Sequence, residues 1–248
     1  MRNFTALDTE TTGLQGGSRV VELAAVRVRD GDAVDSFHAV VNPGMPIPAD
    51  ITAINGATDD SVKEGLPTRL ALLDFLTWLG EDVLVAHNAG YDVGIINWSA
   101  QCHEVPWPRL DVVDTLEIAK AMRLTKKNGL DTLVEFHGIH RKGEAHRALS
   151  DAYACADYFL LNQDAKYTVR PWDSLIEYEY APPVPACLVE KVRDGEPLAF
   201  TYTDDKGQST ERTITPYGWC SRKGLMYFHG LCHLRGERRE FRADRATF

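Results

Sequence analysis

The stretch ALDTETTGL, residues 6–14, sets Asp8 and Glu10 directly behind a short apolar run, with only Thr9 between them. Successive side chains on a strand point to opposite faces, so residues two apart share one. If NFTAL (3–7) is a strand that finishes here, Asp8 and Glu10 point the same way. Two carboxylates side by side repel unless a cation lies between them, and an oxygen-only donor set at a strand end suits Mg²⁺ or Mn²⁺ rather than zinc. The same residues also read as a turn in which Asp8 caps with Thr9 and Thr11, and the tripeptide alone does not choose between the two.

Beyond it, RVVELAAVRV (19–28) and VDSFHAVV (34–41) are β-branched runs on either side of Asp30-Gly31-Asp32, which predicts a hairpin. NPGMPIP (42–48) then breaks regular structure with three prolines. The apolar spacing of PTRLALLDFLTWLG (67–80) predicts a helix, VLVA (83–86) a buried strand, and a further helix starts at about Tyr91. RLDVVDT (109–115) reads as a strand, and LEIAKAM (116–122), LDTLVEF (130–136) and RALSDAYACADYFLL (147–161) read as helices. In the last, Leu149, Ala152, Tyr153, Ala156, Phe159 and Leu160 recur every three or four residues. A hairpin followed by alternating strands and helices predicts an α/β fold, a mixed sheet with helices on its faces.

RPWDSLIEYEYAPPVPA (170–186) loses periodicity and ends in prolines, as linkers do. The expected domains are therefore a front one at 1–165, a linker at 166–185 and a rear one at 186–248. In the rear domain EPLAFTYTDD (196–205), QSTERTITPYGW (208–219) and GLMYFHGLCHL (224–234) predict a small all-β unit. The net charge of -9 is uneven: residues 186–248 hold 11 Lys and Arg against 9 Asp and Glu, so the acidic excess lies wholly in front.

With 44% hydrophobic residues and no apolar run near membrane-helix length, the composition is that of a folded, non-membrane chain. No secretory pattern follows Met1, which gives a cytoplasmic expectation. Five scattered cysteines argue against a disulfide framework. Cys220, His229, Cys232 and His233 are of the types that bind zinc, but they include no CxxC pair and lie in strand-like sequence.

Two later stretches bear on Asp8 and Glu10. In VAHNAGYD (85–92) a buried strand leads through a polar turn to Asp92 near a helix start, and in HRALSD (146–151) His146 precedes Asp151 by five residues. Five residues of ideal helix turn through about 500°, leaving the two side chains about 140° apart in projection. His146 is therefore expected on the loop ahead of the helix, with Gly143 in RKGEA (141–145) as a flexible point.

The blocks LDTETTGL (7–14), VAHNAGYDVGIIN (85–97) and AHRALSDAYACADYF (145–159), in this order, resemble the DEDDh branch of the DnaQ-like 3′→5′ exonucleases, the family of the proofreading subunit of bacterial DNA polymerase III. The resemblance covers about residues 3–163. It implies a ribonuclease H-like fold, with Asp8, Glu10, Asp92 and Asp151 as ligands to two divalent cations, Mg²⁺ or Mn²⁺, and His146 as general base. It further implies that Thr11, Thr12, Gly13 and Leu14 contact the 3′-terminal nucleotide, Leu14 wedging against its base, with Asn88 and Tyr91 nearby. His87 and Asp114 are read as structural. Where relatives often carry His-Gly, this chain has Asn55-Gly56, read as a change at the substrate rim.

The residue types suit that chemistry in their own right. Four ionised carboxylates are strained by mutual repulsion and nearly neutralised by two divalent cations, and an imidazole with an ordinary pKa near 6.5 can accept a proton from water around neutral pH. The expected substrate is nucleic acid, DNA with a free 3′ end, with a polymerase or repair protein as partner. The alternatives are an exoribonuclease trimming short RNA and a non-catalytic, nucleic-acid-sensing regulator.

The rear domain resembles a WYL domain, a small SH3-like β-barrel, through Phe200 and Tyr202, Arg212 with Pro216, the Tyr227 segment and the closing RREFRADR (238–245). The eponymous Trp-Tyr-Leu stands as Met226-Tyr227-Phe228. The resemblance implies binding of a nucleic-acid strand or nucleotide-like ligand, with Tyr202, Arg212, Tyr227, His229, Arg239 and Arg242 as candidates. The competing reading has these arginines simply pairing with Glu237, Glu240 and Asp244 on a solvated surface.

Overall fold

β1 (Phe4–Thr11) runs antiparallel to β2 (Val20–Arg29), and β2 to β3 (Asp32–Asn42), in a computed structural model that describes residues 1–13, 18–175, 184–222 and 224–248. Only Asp30 and Gly31 separate β2 from β3, and both have positive φ, 52° and 92°. That is the tight turn whose twist matches two paired strands. β1 does not stop at Leu7, so Asp8 and Glu10 lie within the ladder, opposite Ala24 and Glu22.

After the proline-rich segment come α1 (Ala49–Asn55) and α2 (Asp59–Val62), too short to announce themselves by periodicity. β4 (Leu66–Pro67), α3 (Thr68–Leu79), β5 (Leu84–Ala86), α4 (Ala89–Cys102), β6 (Asp111–Asp114), α5 (Thr115–Met122), α6 (Leu130–His137), α7 (Ala148–Leu161) and β7 (Arg170–Pro171) follow. The seven strands form one mixed sheet in the order β4-β3-β2-β1-β5-β6-β7, with β1, β5 and β6 parallel. The expected α/β architecture is present.

Alternation along β1 decides where the acids point. Leu7 packs with Leu23, Leu72, Phe75 and Ile96, the core under α3 and α4. Phe4 and Ala6 pack with Ala152, Cys155, Ala156 and Phe159 on α7, and the Phe4 and Phe159 rings meet edge-on at 5.0 Å. Asp8 and Glu10 continue the even-numbered series and face α7. The apolar stripe of α7 thus fixes the helix over the same face of β1 that carries the two carboxylates.

The chain divides into two compact units near residue 176. Within the stretch read as a linker, Tyr167 meets Phe159 at 5.3 Å, β7 pairs with β6, and the indole of Trp172, 3% exposed, lies 5.3 Å from that of Trp107. These residues are part of the front unit, held by single aromatic anchors that leave no periodic pattern.

The rear unit is not all β. It opens with α8 (Ala186–Asp194), amphipathic through Leu188 and Val192, a nine-residue helix too short to stand out against the strand-like runs. β8 (Leu198–Thr203), β9 (Ser209–Arg222), β10 (Leu225–Cys232), β11 (Glu237–Arg242) and β12 (Ala246–Thr247) then form an antiparallel sheet in the order β11-β10-β9-β8-β12. Three strand spacings of about 4.8 Å would separate β8 from β11 in a flat sheet, yet the Phe200 and Phe241 rings lie 5.1 Å apart and both pack near Phe228. The sheet therefore curls strongly on itself. No ladder joins β11 to β12 among the described residues, so the small SH3-like barrel expected takes the form of a strongly curled antiparallel sheet. At Gly230, beside a register shift, a Cβ would sit 2.2 Å from the Thr215 carbonyl oxygen, which leaves room only for glycine. No described helix is long and apolar enough to cross a membrane.

Candidate metal and catalytic site

β1 supplies Asp8 and Glu10, and the first turn of α7 supplies Asp151; one oxygen of each lies within 4.8 Å of the others. Asp92 comes from the first turn of α4, behind Asn88, whose φ of 65° bends the chain off β5 into the helix. It stands outside that group of three but close enough to Asp8 for its charge to be felt there. Thr9 points to the other side of β1, and its hydroxyl donates to Asp92 Oδ1 at 2.7 Å. The residue that separates the paired acids thus ties β1 to the helix carrying the third.

The electrostatics are those of a site waiting for positive charge. Burial, then the charges of Asp92 and Glu10, push the Asp8 carboxyl well above the usual range. Burial raises Glu10 to about 7 against a hydrogen bond from Asn55, and raises Asp92 to about 7 against the hydrogen bond from Thr9. Among the described residues this is the one grouping of metal-ligating side chains. Hard oxygen donors without nitrogen or sulfur suit Mg²⁺ or Mn²⁺, so the residues present fit the divalent cations.

The raised carboxyls set a pH dependence. In the unfolded chain they release their protons near pH 4, whereas in the folded chain Glu10 and Asp92 hold theirs to about 7. Because the folded state binds more protons in that window, stability falls as pH rises from about 4 to about 7. A cation that binds only the folded form counteracts the loss, by about 2.7 kcal/mol at a hundred times its dissociation constant. Chelated protein is expected to melt at a lower temperature at about pH 8 than at about pH 5.5, with Mn²⁺ restoring several degrees at the higher pH. A melting temperature indifferent to Mn²⁺ at about pH 8 would contradict this reading of the acids.

His146 lies on the loop ahead of α7, as the spacing predicts, with φ of 58° at His146 and 128° at Gly143. Its backbone N–H donates to Asp151 Oδ2 at 3.0 Å, while its half-exposed ring places Nε2 3.8 Å from Asp131 Oδ2 on α6. Arg141 pairs with both Asp131 and Asp151. Neither Asp131 nor Arg141 is marked in the sequence, since one lies on an ordinary amphipathic helix and the other in a polar loop.

The expected nucleotide-contacting residues fall into several positions. Thr11 Oγ1 and Tyr91 Oη are hydrogen-bonded at 2.6 Å, joining the end of β1 to α4. Thr12 is buried, and its hydroxyl accepts from the Arg19 N–H at 2.9 Å, so it ties the end of β1 to the residue before β2. Asn88 is exposed, and its backbone N–H donates to Asp114. Gly13 follows the end of β1, and Leu14 lies outside the described residues. His87 and Asp114 are structural: His87 bonds Thr115 and the Asn128 carbonyl at 2.9 and 2.8 Å, and Asp114 caps α5. Asn55, read as a change at the substrate rim, turns inward beside Glu10. It is 7% exposed, donates to the Thr11 carbonyl at 3.3 Å and to Glu10, and accepts from Ala57. A short amide at the end of α1 thus reaches inward to the paired acids.

In the rear unit, register separates the candidates. Tyr227, His229 and Arg242 share one face of the sheet, since Tyr227 pairs with Arg242 and His229 lies two residues on. Tyr202, Arg212 and Arg239 fall on the opposite face, with Phe200, Phe228 and Phe241. His229 is buried with Arg238 Nη2 3.3 Å from its Nδ1, Arg239 pairs with Glu237, and Arg242 makes two bonds to Asp244.

Both units are similar to known proteins. The family model described as Exonuclease matches residues 5–159, and the WYL domain model matches residues 186–247. A DNA polymerase III PolC-type from Listeria innocua is 38% identical over 180 residues, covering 71% of this chain and 12% of the polymerase. The Bacillus subtilis PolC-type polymerase is likewise 38% identical, over 161 residues, 64% of this chain and 11% of its own length. The chain thus spans about an eighth of the curated relatives it matches. Among solved structures, exonuclease X in complex with 5′-overhanging duplex DNA is 26% identical with a TM-score of 0.53, over 65% of this chain and 91% of that one. The nuclease domain of 3′hExo, a DEDDh family member bound to rAMP, shares the fold at 15% identity and a TM-score of 0.59, over 68% of this chain and 96% of that one. The chain therefore belongs to the exonuclease family through its front unit, and its rear unit matches the WYL domain.

Proposed function

We propose that this protein removes nucleotides from the 3′ end of DNA using two divalent cations, Mg²⁺ or Mn²⁺, with Asp8, Glu10, Asp92 and Asp151 as their ligands and His146 as general base. The observation that carries this reading is the approach of Asp8, Glu10 and Asp151 to within 4.8 Å, with Asp92 held beside Asp8 by Thr9. Bound cations would supply charge neutralisation at the scissile phosphate and an acidified attacking water. The chain's own part is to hold the carboxylates in place and to accept a proton at the imidazole of His146. Its ring is half-exposed on a loop with two left-handed residues, so it can turn from Asp131 toward substrate. Thr11, Thr12, Gly13, Leu14, Asn88 and Tyr91 are the proposed contacts for the terminal nucleotide.

DNA is favoured over RNA because relatives 38% identical to this chain are DNA polymerases and exonuclease X is bound to duplex DNA. A polymerase or repair protein as partner belongs to the same proposal. Matched DNA and RNA strands test the sugar preference: faster release from DNA supports the proposal, and faster release from RNA replaces it with RNA trimming, since a site bonding the 2′-OH selects for it.

The WYL unit is proposed to add affinity for nucleic acid through the face bearing Tyr227 and Arg242, an aromatic ring for stacking and a guanidinium for phosphate. Tyr227→Ala with Arg242→Ala in the full chain is expected to weaken single-strand binding about tenfold and to lower the salt dependence by about one phosphate contact. Unchanged binding and salt slope would leave the WYL unit without this role.

A further inference from the structure

Glu22 on β2 lies directly opposite Glu10 on β1, so a fifth carboxylate faces α7 from the strand beside the acids. It is 8% exposed, and its oxygens are engaged. Oε1 accepts from Arg147 Nε at 2.9 Å and lies 2.7 Å from Arg147 Nη2. Oε2 accepts the backbone N–H of Ala148 at 3.2 Å and lies 3.6 Å from His38 Nε2. Burial alone would push this carboxyl up, but the nearby His38 ring and the hydrogen bonds from Arg147 and Ala148 hold it below its ordinary value, the reverse of its neighbour Glu10. Glu22 is not among the acids whose oxygens converge.

What Glu22 holds is the start of α7. The residue before the helix, Arg147, has extended backbone and makes no side-chain capping bond. A helix leaves its first N–H groups open, and a carboxylate there satisfies a donor and complements the helix dipole. In this chain the cap is reached across from β2, and it grips residues 147 and 148. Those two residues lie between His146 and Asp151, so one clasp bears on the proposed base and on a proposed ligand.

We propose that Glu22 is a positioning residue of the exonuclease site, which through Arg147 and Ala148 fixes the entry of α7 and thereby the placement of both His146 and Asp151. The proposal rests on the exonuclease reading for its catalytic consequence and on the clasp alone for its structural one.

The test uses the full chain as wild type, Glu22→Ala, Glu22→Gln, Arg147→Ala and the Glu22→Ala/Arg147→Ala pair. Hydrogen exchange is measured without metal or nucleic acid, and kcat and KM on a single strand with Mn²⁺. Glu22→Ala is expected to speed exchange across residues 147–151 while leaving the rest of the sheet protected, and to lower kcat about 10- to 100-fold, the range seen when a group supporting a metal ligand is lost. KM should change far less. Arg147→Ala should reproduce much of the kcat loss, and the double variant should lose little more than Glu22→Ala, because both remove one interaction. Glu22→Gln, which keeps an acceptor for the helix, should recover part of the activity. Additive losses, a silent Arg147→Ala, or unchanged exchange at residues 147–151 would overturn the proposal. An inactive wild type with the exchange pattern intact would instead sink the exonuclease reading and leave the clasp standing.

Discussion

Replacing Asp8 by alanine is expected to abolish nucleotide release while leaving the metal-free protein at least as stable as the wild type. Asp8 is the most crowded of the acids: burial raises its carboxyl, and the charges of Asp92 and Glu10 raise it further. Without a cation, such a group opposes folding at neutral pH, because keeping it ionised costs free energy and keeping it protonated means taking up a proton. Its removal relieves that repulsion. With a cation, the same removal takes away an oxygen from the converging group of Asp8, Glu10 and Asp151. The loss should exceed the 10²- to 10³-fold typical of deleting one transition-state hydrogen-bond donor, since a charged ligand contributes more. The two measurements are kcat with Mn²⁺ and the melting temperature in chelator. A simple core residue would show the opposite pair of results, lower stability and modestly changed activity.

His146 predicts a different signature. A positioned general base contributes about 10²- to 10⁴-fold, and the ring of His146 is not one of the oxygen ligands, so its loss should cut kcat without weakening metal binding. The replacement matters, because His146 sits at φ 58°, where a β-carbon is strained and asparagine is better tolerated than alanine. His146→Asn is therefore the cleaner variant. It should lower kcat by two or more orders of magnitude, keep the Mn²⁺-induced rise in melting temperature and change KM little. A loss of the Mn²⁺ response in His146→Asn would mean that the residue shapes the metal site itself.

The sequence carried the framework of this site and part of its detail. Asp8 and Glu10 share a face because strand alternation is strict, and the apolar stripe of α7 shows which face is covered. Asp92 and His146 are placed by local rules as well, one in the first turn after a buried strand and the other on the loop that a five-residue spacing demands. The supporting residues were less legible. Glu22, a lone acid inside the apolar run VVELAAV, is a visible anomaly whose partner, Arg147, lies 125 residues away. Thr9 looks like any β-branched strand residue until α4 is seen to place Asp92 against it. The contact of Asn55 with Glu10 is not legible because α1 is too short for periodicity to show which side turns inward. Arg141 and Asp131 meet only through the return of the chain between α6 and α7. In the rear unit the strands were readable, but α8 and the curl that brings Phe200 against Phe241 depend on packing between distant residues.

The most direct measurement follows a 5′-labelled single strand of DNA incubated with the 248-residue chain and Mg²⁺ or Mn²⁺, beside Asp8→Ala and a chelated control. The expected result is a ladder that shortens one nucleotide at a time from the 3′ end, present with either cation and absent from both controls. Internal cuts at early times, degradation that proceeds in chelator, or an unimpaired Asp8→Ala would contradict it.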